Sequence, residues 1–526
     1  MVSQPAWAKG SSKLLIRMPD AVSILSGDDV YNLQSSDKET WTYKDVVVRC
    51  KEEGNSVVVF VKSPTLALKE VRCHWQYAVA KDSLLMGDAW ERTYGDISWQ
   101  KDNMNLMPWY CVQHVNDNTY CFGVKTGGNA FCGWHVVDGR LVMQADIRNG
   151  GNGVMLGERE LRMSDIVTTK NETNENPFAT VRRFCKQMCK EPRKVKKPVY
   201  GINDWYFAYG NNSSDLILKH TALLAPLATD TDNLPFSVVD DGWETGSDFT
   251  KPNAKFPSMV KLGEDIKNMG MRPGLWTRVL LAPPGVKKNR LTPPFQNNNK
   301  EDGGVMDPTI QENMVYIKSL MTLYKEWGFE MVKHDYSTFD LFSKWGFDMK
   351  QKMTEPGWHF NDTSRTNAEI ILGLYLSLRE AAGDMYLIGC NTVSHLSAGV
   401  FELNRTGDDT SGKEWERTKK MGVNTMGFRM AQHKTFYEVD GDCVGLTTAI
   451  PWQKNKQWMQ LLAQSSAPLF ISAQPEAVGS EQKAFIKQCF AEAAKPQPIG
   501  EPLDWLTNPF PAEWKLDGKV VRFDWS

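Results

Sequence analysis

Long apolar segments are missing from this sequence. No run reaches the roughly 18 apolar residues that a transmembrane helix needs, and Met1 to Lys13 lack the apolar core of a signal peptide. We therefore expect no membrane-spanning segment and no membrane partner. The expected location is secreted or periplasmic if an export signal has been removed, and cytoplasmic otherwise.

An excess of one charge is missing as well. Lys and Arg number 61 against 63 acidic residues, a net charge of −2, which offers no broad attraction for phosphate backbones. We expect no nucleic-acid partner. Histidine is scarce, with eight residues that do not cluster, and the ten cysteines form no CxxC pair. These counts predict neither a metal site nor a cofactor, and they leave disulfide pairing and oligomeric state open.

Aromatic residues, in contrast, are plentiful. They make up 11% of the 526 residues and include 19 Trp, a composition that suits stacking against the apolar faces of sugars, although most of the rings are expected in the core. The length predicts two to four domains at the usual ~100–200 residues each.

The first third of the chain has the texture of antiparallel β-structure. From about residue 11 to 170, short apolar runs alternate with Gly, Asp and Asn, as in "KDVVVRCKEEGNSVVVFVKS" and "GRLVMQADIRNGGNGVML". This pattern predicts a β-sandwich-like domain over 1–175. A helix near Phe178 to Lys190 and the basic stretch "KEPRKVKKP" predict a linker over 176–197.

After residue 197, strands alternate with amphipathic helices, which indicates a parallel sheet. Met259, Leu262, Ile266 and Met269 recur at helical spacing, and Gly270 ends that helix. A second stripe of Met314, Ile317, Leu320 and Tyr324 follows a predicted capping box of Thr309 and Glu312.

Eight candidate strands can be counted in this region, and eight parallel strands imply a closed (β/α)8 TIM barrel, predicted over 198–480. Long polar insertions follow the third and fourth strands, at the end where such barrels hold their active sites. A small C-terminal β segment is predicted over 481–526, where "WKLDGKVVRFDWS" reads as a hairpin. The eight predicted strands are Val199–Trp205, Phe236–Asp240, Met271–Trp276, Phe329–Lys333, Met385–Cys390, Val400–Arg405, Cys443–Thr447 and Pro468–Ser472.

Charged residues fall at the carboxyl ends of three predicted strands, where they would face one pocket. Two carboxylates roughly 5–5.5 Å apart can cleave a glycosidic bond, one as nucleophile and the other as acid/base, with retention of configuration. The charged strand-end residues are Asp240, Asp241, Lys333, Asp335, Arg405, Asp408 and Asp409.

These residues carry a resemblance to a known family. The segments "VVDDGWETG", "AKFPSMVKLGEDIKNMGMRPGLW", "MDPTIQENM", "VKHDYS", "RTGDDT" and "SAPLFIS" together resemble the α-galactosidase (melibiase) clan of retaining glycoside hydrolases, of the family 27 and 36 type. The resemblance covers roughly residues 201 to 472. It implies Asp335 as nucleophile and Lys333 as a residue that binds sugar hydroxyls and supports that carboxylate. It also implies Asp409, four residues beyond Arg405, as acid/base, with Asp408 as second choice.

The resemblance also implies a sugar-binding set. Asp240 and Asp241 match residues that bind the C4 and C6 hydroxyls of galactose, and Trp243 matches a ring that borders the sugar. Arg405 matches a hydroxyl-binding Arg, and Cys390 with Asn391 lies at the end of the fifth strand, beside the sugar. We also expect Trp205 and Trp276, at the ends of the first and third strands, to contact substrate.

The resemblance predicts an exo-acting α-galactosidase-like enzyme that works through a covalent glycosyl-aspartate, without metal or cofactor, on an oligosaccharide or glycoside. Related N-acetylgalactosaminyl or arabinopyranosyl residues are alternative substrates, because the first strand reads "GINDWYFAYG" and His334 stands where relatives have an aromatic residue. A raffinose synthase-like transglycosylase and a non-catalytic carbohydrate-binding protein are the alternative functions. For the acid/base carboxyl, crowding with other carboxylates predicts a raised pKa.

Overall fold

The computed structural model describes residues 14–101, 105–284 and 304–526. The predicted polar insertion after the third strand, residues 282–304, lies almost entirely outside the described residues. Among the described helices, none combines the length and apolarity that crossing a bilayer requires.

The N-terminal region consists of two antiparallel sheets in contact. Tyr77 of one sheet meets Phe122 of the other edge to face, with ring centroids 4.9 Å apart. The first sheet has six strands, in the spatial order Met107–Pro108, Phe131–Val137, Arg140–Asp146, Glu70–Ala78, Ala21–Ser26 and Asp29–Asn32. The second has nine, in the order Gln34–Ser35, Thr40–Tyr43, Val46–Glu53, Ser56–Ser63, Gly157–Lys170, Asn118–Val124, Tyr110–Val115, Leu84–Gly87 and Gln100–Lys101.

The helix Pro177–Met188 joins this region to the rest of the chain. The Asn176 side chain accepts a hydrogen bond from the Ala179 amide, and proline stands in the first turn, where its missing N–H is not needed. The helix therefore begins one residue before its predicted start and ends two residues before its predicted end. The basic stretch that follows is irregular.

The C-terminal two thirds contain a curled parallel sheet of nine strands. We label them β1 to β9 in chain order: Tyr200–Asn203, Phe236–Val239, Arg272–Thr277, Met331–His334, Tyr386–Gly389, Leu403–Arg405, Glu438–Asp440, Cys443–Leu446 and Leu469–Ala473. The spatial order is β7-β6-β5-β4-β3-β2-β1-β9-β8, with every pairing parallel. Each of the eight predicted strands overlaps one of these.

The two edges of this order meet, because only Gly441 and Asp442 separate β7 from β8 in the chain. Asp442 has φ 72, a left-handed conformation that interrupts the strand. β7 and β8, the two edge strands of the spatial order, are therefore consecutive in the chain and separated only by this interruption.

Helices alternate with these strands. In Met259–Asn268, Ser258 caps the first turn, and Met259, Leu262 and Ile266 are buried as predicted, whereas Met269 is exposed at the end. The other helices of four or more residues are Trp205–Ala208, Ser214–Leu224, Gln311–Glu326, Ser337–Phe342, Gly346–Met349, Asn367–Ala382, Ser394–Ser397, Trp415–Thr418, Lys419–Asn424 (a π-helix), Thr425–Arg429, Trp452–Gln464 and Ser480–Ala493; short 3-10 turns occur at Ala225–Leu227, Met430–Gln432 and Pro475–Ala477.

The predicted capping box at Thr309 and Glu312 is wrong. Helix Gln311–Glu326 has Ile310 at its N-cap, without a side-chain hydrogen bond. The Thr309 hydroxyl instead donates to Asp307 at 2.7 Å, which closes a turn before the helix begins. Ile317, Leu320 and Tyr324 of the predicted apolar stripe are buried.

The chain ends in a small antiparallel sheet of Glu501–Pro502, Glu513–Leu516 and Lys519–Arg522. Asp517 and Gly518 both have positive φ, the conformation of a two-residue hairpin turn, so the predicted hairpin is present. All ten cysteines fall in the described residues, and each is a buried free thiol. The structure therefore contains no disulfide bond among its ten cysteines.

Candidate active site

Asp335 follows β4 and lies in a cavity of about 270 Å³ that it shares with Asp408 and Asp409. Its carboxylate is held from two sides: Oδ2 accepts from Trp276 Nε1 at 3.0 Å, and Oδ1 accepts from the Tyr336 amide at 2.7 Å. Tyr336 has φ 64, so the backbone turns sharply after Asp335. The geometry fixes a carboxylate in the cavity wall, as a nucleophile requires.

Asp408 and Asp409 follow β6 and differ sharply in their surroundings. Arg92 and Arg417 each approach Asp408 to 2.7 Å, and the side chain is 17% exposed. Asp409 is 3.3 Å from Arg405 and 3.7 Å from Arg92, and its side chain is 37% exposed. Asp409 is therefore the more open of the two, whereas both oxygens of Asp408 are paired with arginines.

The pKa of Asp409 is lowered rather than raised. Burial on its own would raise it, but Arg405, Arg92, Lys333 and Arg417 together outweigh burial and favour the carboxylate. The predicted upward shift of the pKa is wrong, because the prediction counted the neighbouring carboxylates and not the four cations. The carboxyl of Asp409 is therefore ionised at neutral pH.

Arg92 comes from the N-terminal region and was missed in the sequence. It is 6% exposed, lines the cavity, donates to Cys390 Sγ at 3.6 Å and lies over the ring of Trp345 at 5.4 Å. Its position follows from a short parallel bridge: the Thr93 amide donates to Thr406 O, and the Asp408 amide donates to Thr93 O. The only sign of this residue in the sequence is the segment "DAWERTYGD", in which Arg, Trp and Tyr stand close together.

Asp240, at the end of β2, is the centre of a buried hydrogen-bond network. Its Oδ2 accepts from Asn203 at 2.6 Å and from Lys333 at 2.8 Å, and its Oδ1 accepts from the Asp241 amide at 2.9 Å. Lys333 therefore pairs with Asp240 rather than with Asp335. Three of about four acceptor positions on this carboxylate are engaged within the protein, which leaves room for one further donor.

Two further carboxyls beside Asp240 have raised pKa values. Burial, together with nearby Glu244, raises the pKa of Asp241 to about 8. Burial and the charge of Asp240 raise the pKa of Asp204 to about 7. Asp241 is therefore mainly a neutral acid at pH 7 and can donate a hydrogen bond as well as accept one. Asp204 also accepts from the Asp240 amide at 2.8 Å, a contact that the sequence analysis missed.

Cys390 and Asn391, after β5, lie behind the cavity wall. Cys390 is 1% exposed, and its sulfur accepts from Arg92 and from Arg405 at 3.6 and 3.5 Å. Asn391 is fully buried, donates to Glu91 and accepts from the Phe339 amide. The structure thus places both among the residues that hold the site together.

The three predicted tryptophans have different positions. Trp276 contacts Asp335 directly, as described above. Trp243 is fully buried, donates to Trp276 O at 2.9 Å and packs against Tyr324 and Trp327, so it lies in the core beneath the site. Trp205 is half-buried against Tyr209 after β1.

An aromatic wall completes the cavity and was also missed. Trp345 and Phe347 belong to the insertion after β4, where the sequence predicted loops of unknown role. Tyr94 and Tyr336 complete the wall. Among the described residues, no group of three His, Cys, Asp or Glu could hold a metal ion.

No protein-family model matches the chain, and no curated protein matches it in sequence. Solved structures do match. An α-galactosidase from Thermus thermophilus, in complex with p-nitrophenyl α-D-galactopyranoside, has a TM-score of 0.62 at 16% identity over 96% of this chain and 99% of that one. The chain shares the fold of this glycoside hydrolase.

Two further structures belong to the same comparison. A GH36 α-galactosidase from Geobacillus stearothermophilus has a TM-score of 0.60 at 10% identity, over 92% of this chain and 73% of that one. A GH31 sulfoquinovosidase from E. rectale has a TM-score of 0.59 at 10% identity, over 96% and 87%. The predicted resemblance to the α-galactosidase clan is thereby confirmed at the level of the fold.

Proposed function

We propose that the protein is a retaining exo-α-glycosidase that removes terminal α-galactosyl residues. The observation that carries this proposal is the pair of Asp335 and Asp409 in one cavity, the first held by two donors and the second open. The solved structures that share this fold include α-galactosidases, some of them in complex with stachyose or raffinose. The parallel sheet is proposed to be a (β/α)8 barrel, with the domain boundaries predicted from the sequence.

The chemistry has two steps. Asp335 attacks the anomeric carbon as the glycosidic bond breaks, and Asp409 gives its proton to the departing oxygen. Asp409, now ionised, takes a proton from water, and that water displaces Asp335 from the sugar. Because the cations around Asp409 favour its ionised form, the first step is expected to be fastest at acidic pH.

Sugar recognition is assigned to Asp240 and Asp241. Asp240 keeps one acceptor position, and protonated Asp241 can both donate and accept, so the two suit a pair of hydroxyls. A substrate without the matching axial hydroxyl would leave these buried groups unpaired, at a cost of about 1–3 kcal/mol per group.

The proposal is tested on nitrophenyl α-glycosides of galactose, N-acetylgalactosamine, arabinopyranose and glucose. The galactoside is expected to react at least ten times faster than the glucoside. Equal rates, or a faster glucoside, would contradict the assignment of Asp240 and Asp241. Sugar affinity without turnover of any glycoside would instead identify a carbohydrate-binding protein.

The nucleophile is tested with Asp335→Asn. Turnover is expected to fall by several orders of magnitude with the fold intact, because the covalent route is lost. Asp138→Asn, the same change in an exposed hairpin turn, is the matched control. A mechanism-based fluoro-sugar is expected to label the peptide that contains "VKHDYS", and label on another peptide would reassign the nucleophile.

A further inference from the structure

Phe347 stands out on the surface of the molecule. Of the large hydrophobic side chains that are exposed in the described residues, it is the one aromatic side chain, at 49% exposure. It lies at the rim of the cavity that contains Asp335 and Asp409. An aromatic ring beside these two carboxylates offers a flat apolar face to a sugar that enters the cavity.

The ring of Phe347 is held in place by Tyr94. The two rings meet edge to face with centroids 4.7 Å apart. The Tyr94 hydroxyl in turn donates to the buried carboxylate of Glu91, which also accepts from the Gly346 amide. Both sides of the contact are therefore anchored before any ligand arrives, which lowers the entropic cost of binding.

A second cavity of about 690 Å³ begins on the other side of Phe347. It lies between the N-terminal sheets and the insertion after β4. Three lysines and three aspartates line it: Lys344, Lys350, Lys352, Asp88, Asp96 and Asp348. Lys344 is paired with Glu355 and Asp88 with Arg429, so the remaining charged lining is a balanced set of two lysines and two aspartates. A balanced set of donors and acceptors suits an uncharged polar ligand rather than an anion or a cation.

We propose that Phe347 and Tyr94 form the binding site for the leaving group, and that the second cavity takes further sugar units of a neutral oligosaccharide. This inference rests on the proposed glycosidase function, and it assigns the preferred substrate class to oligosaccharides rather than small glycosides. The ring of Phe347 covers the apolar face of the first leaving-group sugar, and the polar lining of the cavity meets the hydroxyls beyond it.

The test compares two substrates that share the transferred sugar. α-Galactosyl fluoride has no leaving-group sugar, whereas stachyose has three sugar units beyond the terminal galactose. In Phe347→Ala, the ratio of kcat/KM for stachyose to kcat/KM for the fluoride is expected to fall about tenfold or more. Phe347→Trp, which restores a ring, is expected to recover most of the wild-type ratio.

Leu376→Ala is the matched control, because Leu376 is a 51% exposed apolar residue on the outer side of helix Asn367–Ala382. In this variant, the ratio of kcat/KM for stachyose to kcat/KM for the fluoride is expected to stay at the wild-type value. An unchanged ratio in Phe347→Ala, or an equal loss on both substrates, would overturn the proposed leaving-group site while the glycosidase assignment stands. A wild-type protein that cleaves neither substrate would overturn the proposed function, and this inference with it.

Discussion

Asp408 and Asp409 are neighbours in sequence but have opposite environments. Both oxygens of Asp408 are paired with arginines, and its amide bonds to the N-terminal segment at Thr93. Asp409 is more exposed and touches the cavity from its open side. On the proposed function, these contacts suit a positioning role for Asp408 and leave Asp409, the first choice made from the sequence, as the proposed acid/base.

We expect Asp409→Ala to lose far more activity on substrates with poor leaving groups than on nitrophenyl glycosides, because a phenolate leaves without a proton. Azide is expected to rescue this variant and to give the α-glycosyl azide, since azide takes the place of water on the glycosyl-enzyme. Product analysis by NMR checks the anomer. If Asp408→Ala shows this behaviour and Asp409→Ala does not, the two roles are reversed.

Arg92 offers a second prediction at the residue scale. Arg92→Met keeps much of the side-chain volume but removes a cation that favours the ionised form of Asp409, so the pKa of Asp409 is expected to rise. The basic limb of the kcat/KM profile against pH is then expected to move to higher pH. The other groups near Asp409 are Arg405, Lys333, Arg417, Tyr206 and Asp408.

The matched control for this prediction is Arg417→Met. Arg417 is 39% exposed and bonds to Asp408, so its removal is expected to move the basic limb less. A purely structural effect of Arg92 would lower kcat/KM at every pH without moving the limb, and that result would contradict the prediction.

His334 stands where the family resemblance implies an aromatic residue, and the structure shows how the protein accommodates it. It stands between Lys333 and Asp335, is 1% exposed, and neither ring nitrogen has a hydrogen-bond partner among the described residues. Burial lowers its pKa to about 4, so the ring is neutral, and it meets Tyr375 and Phe401 edge to face. The histidine is therefore an uncharged ring packed between aromatic side chains, at the position where the family resemblance implies an aromatic residue.

At the scale of elements, the loop after β6 carries the acid/base candidate and has very little room. A Cβ on Gly407 would come within 2.1 Å of Met421 O, and Gly407 also forms the bridge to Thr93. The loop therefore packs against the following helical segment on one side and the N-terminal segment on the other. Its position depends on a residue without a side chain.

We expect Gly407→Ala to lower the free energy of unfolding by about 1–3 kcal/mol, because the loop or the helix must move to relieve the contact. The same movement displaces Asp409, so kcat/KM is expected to fall at least tenfold. Gly128→Ala is the control, since its nearest neighbour would lie at 3.6 Å. Thermal unfolding and steady-state kinetics check both values, and an active, stable Gly407→Ala would refute the account.

The elements themselves were largely predictable. Each of the eight predicted strands overlaps a strand of the sheet, because buried apolar runs between amphipathic helices leave a clear pattern. The predicted capping box is wrong because a Thr followed three residues later by a Glu also occurs in turns. Here the Thr309 hydroxyl donates to Asp307 instead of capping the helix. The break between β7 and β8 left no pattern, since a single left-handed residue causes it.

At the scale of the whole molecule, a buried ion pair joins the two regions. Arg429 Nε donates to Asp88 at 2.8 Å, with each side chain 1% exposed. Arg429 also donates to Glu91 O at 2.5 Å, so the pair holds the segment that ends in Arg92. The N-terminal part of the site was not predictable, because Arg92 and Asp408 meet across more than 300 residues and no spacing rule connects them.

We expect Asp88→Ala to lower the free energy of unfolding by about 3–5 kcal/mol, because it leaves Arg429 buried without its partner. Activity is expected to fall with it, although Asp88 lies outside the cavity that contains Asp335 and Asp409. The double variant Asp88→Leu/Arg429→Met, which removes both charges, is expected to recover much of the stability. Denaturant unfolding measures both variants, and a double variant no more stable than Asp88→Ala would argue against a charge effect.

Arg92 and Tyr94 belong to one region of the chain, whereas Asp335 and Asp409 belong to the other. On the proposed function, a sugar held between them contacts both regions at once, and thermodynamic linkage then works in both directions. If docking of the N-terminal sheets tightens sugar binding by a given factor, bound sugar must tighten the docking by the same factor. On the proposed function, the substrate is therefore a cross-link between the two regions of the protein that binds it.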